Sequence, residues 1–569
     1  MKAFVIVLFL IISQGIQAAD VSGNVFLDNN SNSENITITF SPVSPGAVYA
    51  VISPDINGFY TSSIENGVYD VIFEKAGYQT YELMEVFLNG NITLDDVTLS
   101  SATVQEISGE ISGLLTNTSI YKVVGNIFVP TGETLTIEPG TEIKFDGYYT
   151  IYVDGTLIAD GNETNYIRFT SNANTPSNRD WGNISFFGNT NSILNYCIIE
   201  YGMEENSENN GLITVYEGNV AITNNIIRHS EERGVRIYSP GAALIKNNKL
   251  YDFRGGITAG SDNPNSIIIE GNEIYNIAQI GIAVSVNVEN AVVRHNKVYD
   301  VGIYGIQNWS SIDIYRNIVF NVSAAGFSSG IIIAGGEPNI TNNTIFNTRH
   351  GIAIYDSDFF DPNPIINSNI IAYNSGYGIH SEGVPQPQLV AYNLFYNNTM
   401  GIGNNNLPAG VGVIATTNNN GVDSDVYYNI FSNPELESLD PTNPLFCYPT
   451  STSDAVDAAD PSIPVVDGHA DIGAVELGGV LGIGNQQLVS IAVFPNPAGH
   501  FVNFKAPTNV QFDQIDLIDL QGRSILKQKL NIPVSNLQFP ISENLAPGVY
   551  IYTVSNDGKI ITQGRLLKN

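Results

Sequence analysis

The residues best equipped for chemistry lie between 355 and 382. Tyr355-Asp356-Ser357-Asp358 is followed by Asp361, and His380 and Glu382 come one repeat later. Carboxylates and an imidazole at this spacing can bind Ca²⁺ through oxygen ligands, or supply an acid and a base to glycan cleavage. Asp356, Asp358, His380 and Glu382 are therefore the catalytic candidates. A solvated polar face carrying ordinary loop aspartates would look the same in sequence. No metal-spaced set of His and Cys is present, so no cofactor is evident and Ca²⁺ is the one ion the oxygens suit. Aromatic residues form a second set: Trp309, Tyr355, and a row at Tyr251, Tyr275, Tyr299, Phe320, Phe346 and Tyr396. Facing solvent, such a row makes a strip on which sugar rings can stack. Packed on one another at a corner, the same rings would serve the stability of the fold instead.

The elements that must position these residues are set by a repeat. Asn, any residue, then an aliphatic or aromatic recurs every 21 to 26 residues, at Asn225, Asn248, Asn272, Asn296, Asn317, Asn343, Asn369 and Asn393. Each is followed by Gly plus an aliphatic, from Gly234-Val235 to Gly401-Ile402. Two short strand-like segments per period, with no helical spacing of apolar residues, describe one coil of a solenoid. A single coil cannot bury its own apolar face, so coils stack strand on strand at roughly 4.8 Å each, and eight give roughly 38 Å. Ile227, Leu250, Ile274, Val298, Val319, Ile345, Ile371 and Phe395 should form one inward stack by the period of two. The Asn is expected at the turn, in the left-handed geometry it tolerates, with its amide bonded to the Asn above and below as a structural ladder. Positions two and four beyond each Gly point outward, which places Arg236, Tyr238, Gln307, Trp309, Tyr355, His380 and Glu382 on one face. Arg228-His229, Arg294-His295 and Arg349-His350 sit at different offsets from the Asn, and so read as unrelated surface or corner residues.

Composition narrows the classes. With 53 Gly, 29 Tyr and 14% charged residues in 569, the chain is ordered, strand-rich and built of several domains. A net charge of −33 excludes nucleic acid and anionic membranes as partners, and a polyanion would be repelled unless Ca²⁺ bridged it. Met1 to Ala19 carries one Lys, an apolar run from Ala3 to Ile12 and a small-residue end, the pattern of a signal peptide. The run is too short for a lasting membrane span, and no other stretch reaches that length. Cys197 and Cys447 can pair in an oxidising compartment, or Cys197 can fill the inward stack of its coil.

The repeat resembles that of the right-handed parallel β-helix, the fold of pectate-lyase-like enzymes and many surface proteins. Leu135 to Phe145, Val153 to Gly161, Ile167 to Ser171 and Trp181-Gly-Asn-Ile184 resemble the opening coils of secreted β-helices, with Gly182-Asn183 in place of the usual Gly-Gly. Phe494-Pro-Asn-Pro497, Ile515 to Arg523, Leu545 to Ile551 and Arg565 to Asn569 resemble the type A sorting domain of the type IX secretion system. That resemblance implies the secretion machinery as a partner and passage across an outer membrane. Val21 to Phe26, Asp55 to Tyr60, Gly67 to Val71 and Ala76-Gly-Tyr78 are similar to the carboxypeptidase regulatory-like sandwich. The expected architecture is all-β: a signal peptide at 1–19, a small sandwich at 20–100, a right-handed parallel β-helix at 101–442 and its closing segment at 443–477. A linker at 478–490 and a sorting sandwich at 491–569 complete it.

The expected function is that of an exported, surface-attached or released β-helix that binds a polysaccharide or surface glycan without catalysis. The alternatives are a polysaccharide lyase or glycoside hydrolase around Tyr355 to Glu382, and a structural spacer. Motifs of the polygalacturonase and mannuronan-epimerase types are absent. Only 23 Lys plus Arg are present, where a lyase acting on uronates needs a basic group.

Overall fold

The computed structural model describes residues 18–477 and 492–568, except 30–31, 44–48, 189–190, 204–209, 239–241, 261–265, 287, 289–290, 324, 356–360, 384–385, 405, 464–468, 495–500, 506–511, 519–523, 542–544, 546–547 and 557–558. The expected signal peptide up to residue 17, Asp356, Asp358 and the linker at 478–490 therefore lie outside the described residues. Every described element is a β-strand or bridge, with turns between.

The central solenoid has three sides, each a parallel sheet with one strand per coil. One coil runs Ala242–Lys246 on the first side, turns at Asn247 and Asn248, and continues as Lys249–Ala259 along the second and third before Ser266–Glu270 begins the next. The first side is a twelve-stranded sheet with parallel register throughout. Lys249–Ala259 and Glu273–Val284 run unbroken round the corner between the second and third sides and join those sides edge to edge. The solenoid exceeds the eight coils counted from Asn, because its opening coils lack that residue.

The inward stack forms as the alternation predicts, from Ile227 through Phe395, none above 3% exposed. The Gly column owes its composition to space. A Cβ on Gly305 would stand 2.3 Å from Val319 Cγ1 and 2.6 Å from Gly330 O, and Gly256, Gly281, Gly330 and Gly351 meet the next coil equally closely. Backbone there lies against the side chains of the neighbouring coil, and only hydrogen fits.

Each ladder Asn donates its amide to the Oδ1 of the next at 2.9–3.0 Å, from Asn225 to Asn393. The turn itself departs from expectation. The left-handed residue precedes the ladder Asn: Asn224, Asn247, Gly271, His295, Arg316, Asn342, Ser368 and Tyr392 have φ between 51° and 66°. The ladder Asn instead keeps a conformation that turns its amide into the core, where each is 0–2% exposed. Asn429 adds a further rung, accepting from Asn393 at 3.0 Å, and buried Asp425 ends the ladder by accepting from Asn429 Nδ2 at 3.0 Å. At the other end Cys197, a buried free thiol like Cys447, takes the ladder position itself rather than the apolar stack, and its N–H donates to Asn225 Oδ1 at 2.8 Å.

The segment that follows the coils lies along the outer surface of the second side. Phe446, Cys447, Ala474 and Val475 pack on Ile318, Phe320 and Phe346, while Ala455, Ala458 and Ile472 pack on Ile370 and Leu394. Gly473 N–H donates to Ser368 O at 2.9 Å and Arg316 pairs with Glu476 at 2.5 Å.

Residues 18–105 carry two small sheets around Val21, Ile38, Phe40, Tyr60, Tyr69, Val71 and Phe73. Residues 492–568 carry a three-stranded and a four-stranded antiparallel sheet around Phe504, Phe512, Leu517, Phe539 and Val554.

Candidate functional site

The third side decides where the outward residues converge. Its inward positions Val235, Ile257, Ile282 and Ile306 alternate with an outward column, Thr214, Arg236, Thr258, Ala283 and Gln307, continued by Ile332, Ala353 and His380. One position past the last inward residue of each strand runs a neighbouring column: Tyr216, Tyr238, Gly260, Ser285, Trp309, Ala334 and Tyr355. Two features of these columns make a notch. Large aromatic rings stand at Tyr238 and Trp309, three coils or roughly 14 Å apart, and the two coils between carry only Gly260 and Ser285.

Arginines line this notch. A groove of about 250 Å³ is bounded by Arg233, Arg236 and Arg254 on one side and by Gln279, Gln307 and Trp309 on the other, with Ser285 and Thr258 on its floor. The Arg236 guanidinium lies 4.3 Å from the centre of the Tyr238 ring, and its buried Nε has no hydrogen-bond partner. Arg254 is half-paired with Glu232 at 3.4 Å. Burial first, then the neighbouring Arg236 and Arg254 charges, lower the proton affinity of Arg233 in spite of Glu232. A guanidinium stays charged in proteins, so the consequence is a crowded positive site that an anion would relieve. Among the described residues, those bounding the groove include no carboxylate or imidazole, and Glu232 stands behind Arg254. The arrangement can grip a carboxylate or sulfate by charge-assisted hydrogen bonds, offer amides and hydroxyls to sugar hydroxyls, and stack a ring on Trp309.

The residues singled out from sequence fall in three places. Trp309 is in the notch. Tyr355, 43% exposed, and Glu382 are register partners farther along the same side, and both raise the pKa of Tyr304 after burial has done so first. Among the described residues, His380 stands beside a second imidazole. Its ring stacks on His350 at 4.4 Å and 14°, and Tyr377 N–H donates to His350 Nδ1 at 3.1 Å. Burial, then the His380 and Arg349 charges, hold His350 down at about 4. No group of three His, Cys, Asp or Glu suited to a metal occurs among the described residues.

The Asn-linked aromatic row is not a solvent strip. Tyr251, Tyr275, Tyr299, Phe320 and Phe346 stack ring on ring at 4.8–5.1 Å with interplanar angles of 4–14°. Tyr251 and Tyr275 are 3% and 7% exposed, and Phe446 of the closing segment caps Phe320 edge-on at 5.2 Å. The row lies on the second side, where that segment packs, so its apolar faces are spent on the fold. Arg228 likewise is no surface residue. It is 1% exposed in the same column and pairs with Glu200 at 2.7 Å.

Arg233 and Arg254 are not among the residues that the repeat places on a common face. The available signal was local: each lies within two residues of the repeat Gly of its coil, Arg233 before Gly234 and Arg254 before Gly255-Gly256, in consecutive coils.

Comparison with known families agrees with the solenoid fold. Residues 107–243 match the pectate-lyase like beta helix domain and residues 205–319 the right handed beta helix region. Residues 492–568 match the secretion system C-terminal sorting domain, which marks the chain for secretion or surface attachment. Solved structures with some likeness include a mutant of the periplasmic alginate epimerase AlgG, at 15% identity over 52% of this chain and 78% of that one with a TM-score of 0.32. Pectate lyase Pel9A matches at 13% identity over 64% and 89%, TM-score 0.32. The mannuronan C-5 epimerase AlgE6 A-module of Azotobacter vinelandii matches at 14% over 59% and 89%, TM-score 0.28.

Proposed function

We propose that this is an exported β-helix protein that binds an anionic polysaccharide, without cleaving it, in the arginine notch of its third side. The observation that carries this reading is the gathering of Arg233, Arg236 and Arg254 beside Trp309, three of only 23 basic residues in a chain of net charge −33. So concentrated a basic site on an acidic surface has an evident use in gripping carboxylate or sulfate groups directly. Ca²⁺ bridging is then unnecessary. In the finer reading a signal peptide starts export, a carboxypeptidase regulatory-like sandwich is an accessory domain, and the sorting domain delivers the rod to the outer surface.

A catalytic reading has one observation in its favour, the nearness of Tyr304, Tyr355 and Glu382 that appears in the raised Tyr304 pKa. The test is to incubate the full chain in EDTA with polygalacturonate and with dextran sulfate, and to score retention by affinity electrophoresis and products by absorbance of unsaturated ends and by reducing sugar. Retention of either without products is expected, and which one is retained tells carboxylate from sulfate. Product formation would replace this reading with the enzyme, and neither retention nor product would leave the spacer.

A further inference from the structure

A ridge of aromatic rings leads along the third side to the notch. Phe128 and Tyr152 stack at 5.2 Å, Tyr152 meets Phe187 at 6.2 Å, Phe187 stacks on Tyr216 at 4.6 Å and Tyr216 on Tyr238 at 5.1 Å. Unlike the row on the second side, this one is open: Phe128 is 40% and Phe187 37% exposed, and the three tyrosines are half-buried. Asn210 fixes its end, donating to Tyr216 Oη at 2.7 Å and accepting from Tyr238 Oη at 2.9 Å. The ridge spans roughly 19 Å at one coil per ring, the length of a short oligosaccharide.

Charge changes along the same line. The strand segments that carry the first four rings, 127–129, 151–153, 184–187 and 211–216, contain no Lys or Arg, and the exposed charges directly after two of them are acidic, Asp154 and Glu217. Arginine appears only where the ridge ends, with Arg236 over Tyr238. A polyanion is repelled by such flanks. An uncharged sugar suits them, since its C–H groups pack on the exposed edges of the rings while its hydroxyls donate to carboxylates.

We propose that the ridge from Phe128 to Tyr238 is a second subsite, which takes an uncharged stretch of polysaccharide laid along the coils and leading into the arginine notch. The proposal rests on the notch reading and adds to it the composition of the ligand: an anionic unit next to neutral sugars, in one direction along the rod.

The test is calorimetric titration of the full chain with cellohexaose, mannohexaose and xylohexaose as uncharged probes and hexagalacturonate as the charged one. The paired substitution Tyr152→Leu with Phe187→Leu removes the rings while keeping apolar bulk, and Arg233→Ala opens the notch. Wild-type binding of an uncharged hexamer, weakened at least tenfold by the Leu pair and unchanged by Arg233→Ala, with the reverse pattern for hexagalacturonate, is the expected result. Binding of hexagalacturonate alone, or uncharged binding indifferent to the Leu pair, would overturn the ridge subsite and leave the notch standing. No binding of any probe would overturn the ridge subsite, and the notch would then stand or fall on a sulfated hexasaccharide. A concentration-dependent dimer abolished by the Leu pair would also overturn the ridge subsite, assigning the ridge to a second copy of the chain.

Discussion

Arg228 and Arg236 show how one residue type does opposite work eight residues of chain apart. Arg236 leaves a buried Nε without a partner at the mouth of a groove. Arg228 is wholly committed: its Nε pairs with Glu200 at 2.7 Å, its Nη1 donates to Tyr251 Oη at 3.0 Å, and Glu200 also accepts from Arg168 at 2.5 Å and from Thr170 at 2.9 Å. Burial alone would push the Glu200 carboxyl up, but Arg228 and Arg168, with His229, hold it at about 2. A carboxyl lowered from its usual 4.5 contributes stability that is complete above that value and fades as pH falls toward 2. Acid titration followed by circular dichroism should therefore show the wild type losing melting temperature below about pH 5, and Glu200→Gln losing much less over the same range. Arg228→Leu leaves the buried carboxylate with one guanidinium, and we expect a cost of about 3–5 kcal/mol in thermal melts. A melt like that of the wild type would mean that the network is idle. None of this was visible in the repeat, because Glu200 and Arg228 occupy the position held by Tyr or Phe in later coils, and only register reveals them as one column.

At the scale of the element, what was legible is what the coil must repeat. Stacked copies put the same residue in the same place, so the inward aliphatics, the Asn ladder and the Gly column all left a period in the sequence. Asn296 illustrates the reason: its side chain donates to Asn317 Oδ1 at 3.0 Å and Ile269 O at 2.9 Å, and accepts from Asn272 Nδ2 at 2.9 Å and Asn272 N at 3.0 Å. Asn296→Ala strands these buried partners and should cost about 2–4 kcal/mol, against under about 1 kcal/mol for the half-buried His380→Ala. Equal melting temperatures for the two variants would contradict the ladder's role. Gly305→Ala is expected to cost about 1–3 kcal/mol by overpacking, since backbone and Val319 both stand in the way, and a neutral effect in the same melts would show that the coil can open there. What escaped was whatever depends on which side of the coil is covered. Tyr251 and Phe187 are both stacked aromatics, yet one lies on the side covered toward its C-terminal coils by the closing segment and the other is open. That segment carries no repeat, so nothing before it in the chain foretells which side it takes.

For the whole molecule, the match at 492–568 assigns export to a part of the chain separate from the solenoid matched at 107–319. Deleting residues 491–569 should leave the solenoid folded but held within the cell envelope, as judged by fractionation and surface proteolysis, whereas normal surface display of the truncated chain would remove the export argument. On the proposed reading the chain's acidity and the notch's basicity fit together: a net charge of −33 repels polyanions in general, while three arginines offer a place where an anionic group can be gripped. Calorimetric titration of the full chain and its Arg233→Ala, Arg254→Ala double variant with hexagalacturonate and a sulfated hexasaccharide, in EDTA, bears on this most directly. The account predicts measurable binding of at least one of the two by the wild type and at least a tenfold loss in the variant with an unchanged melting temperature. Equal affinity in both proteins, or binding that appears only when Ca²⁺ is restored, would contradict it.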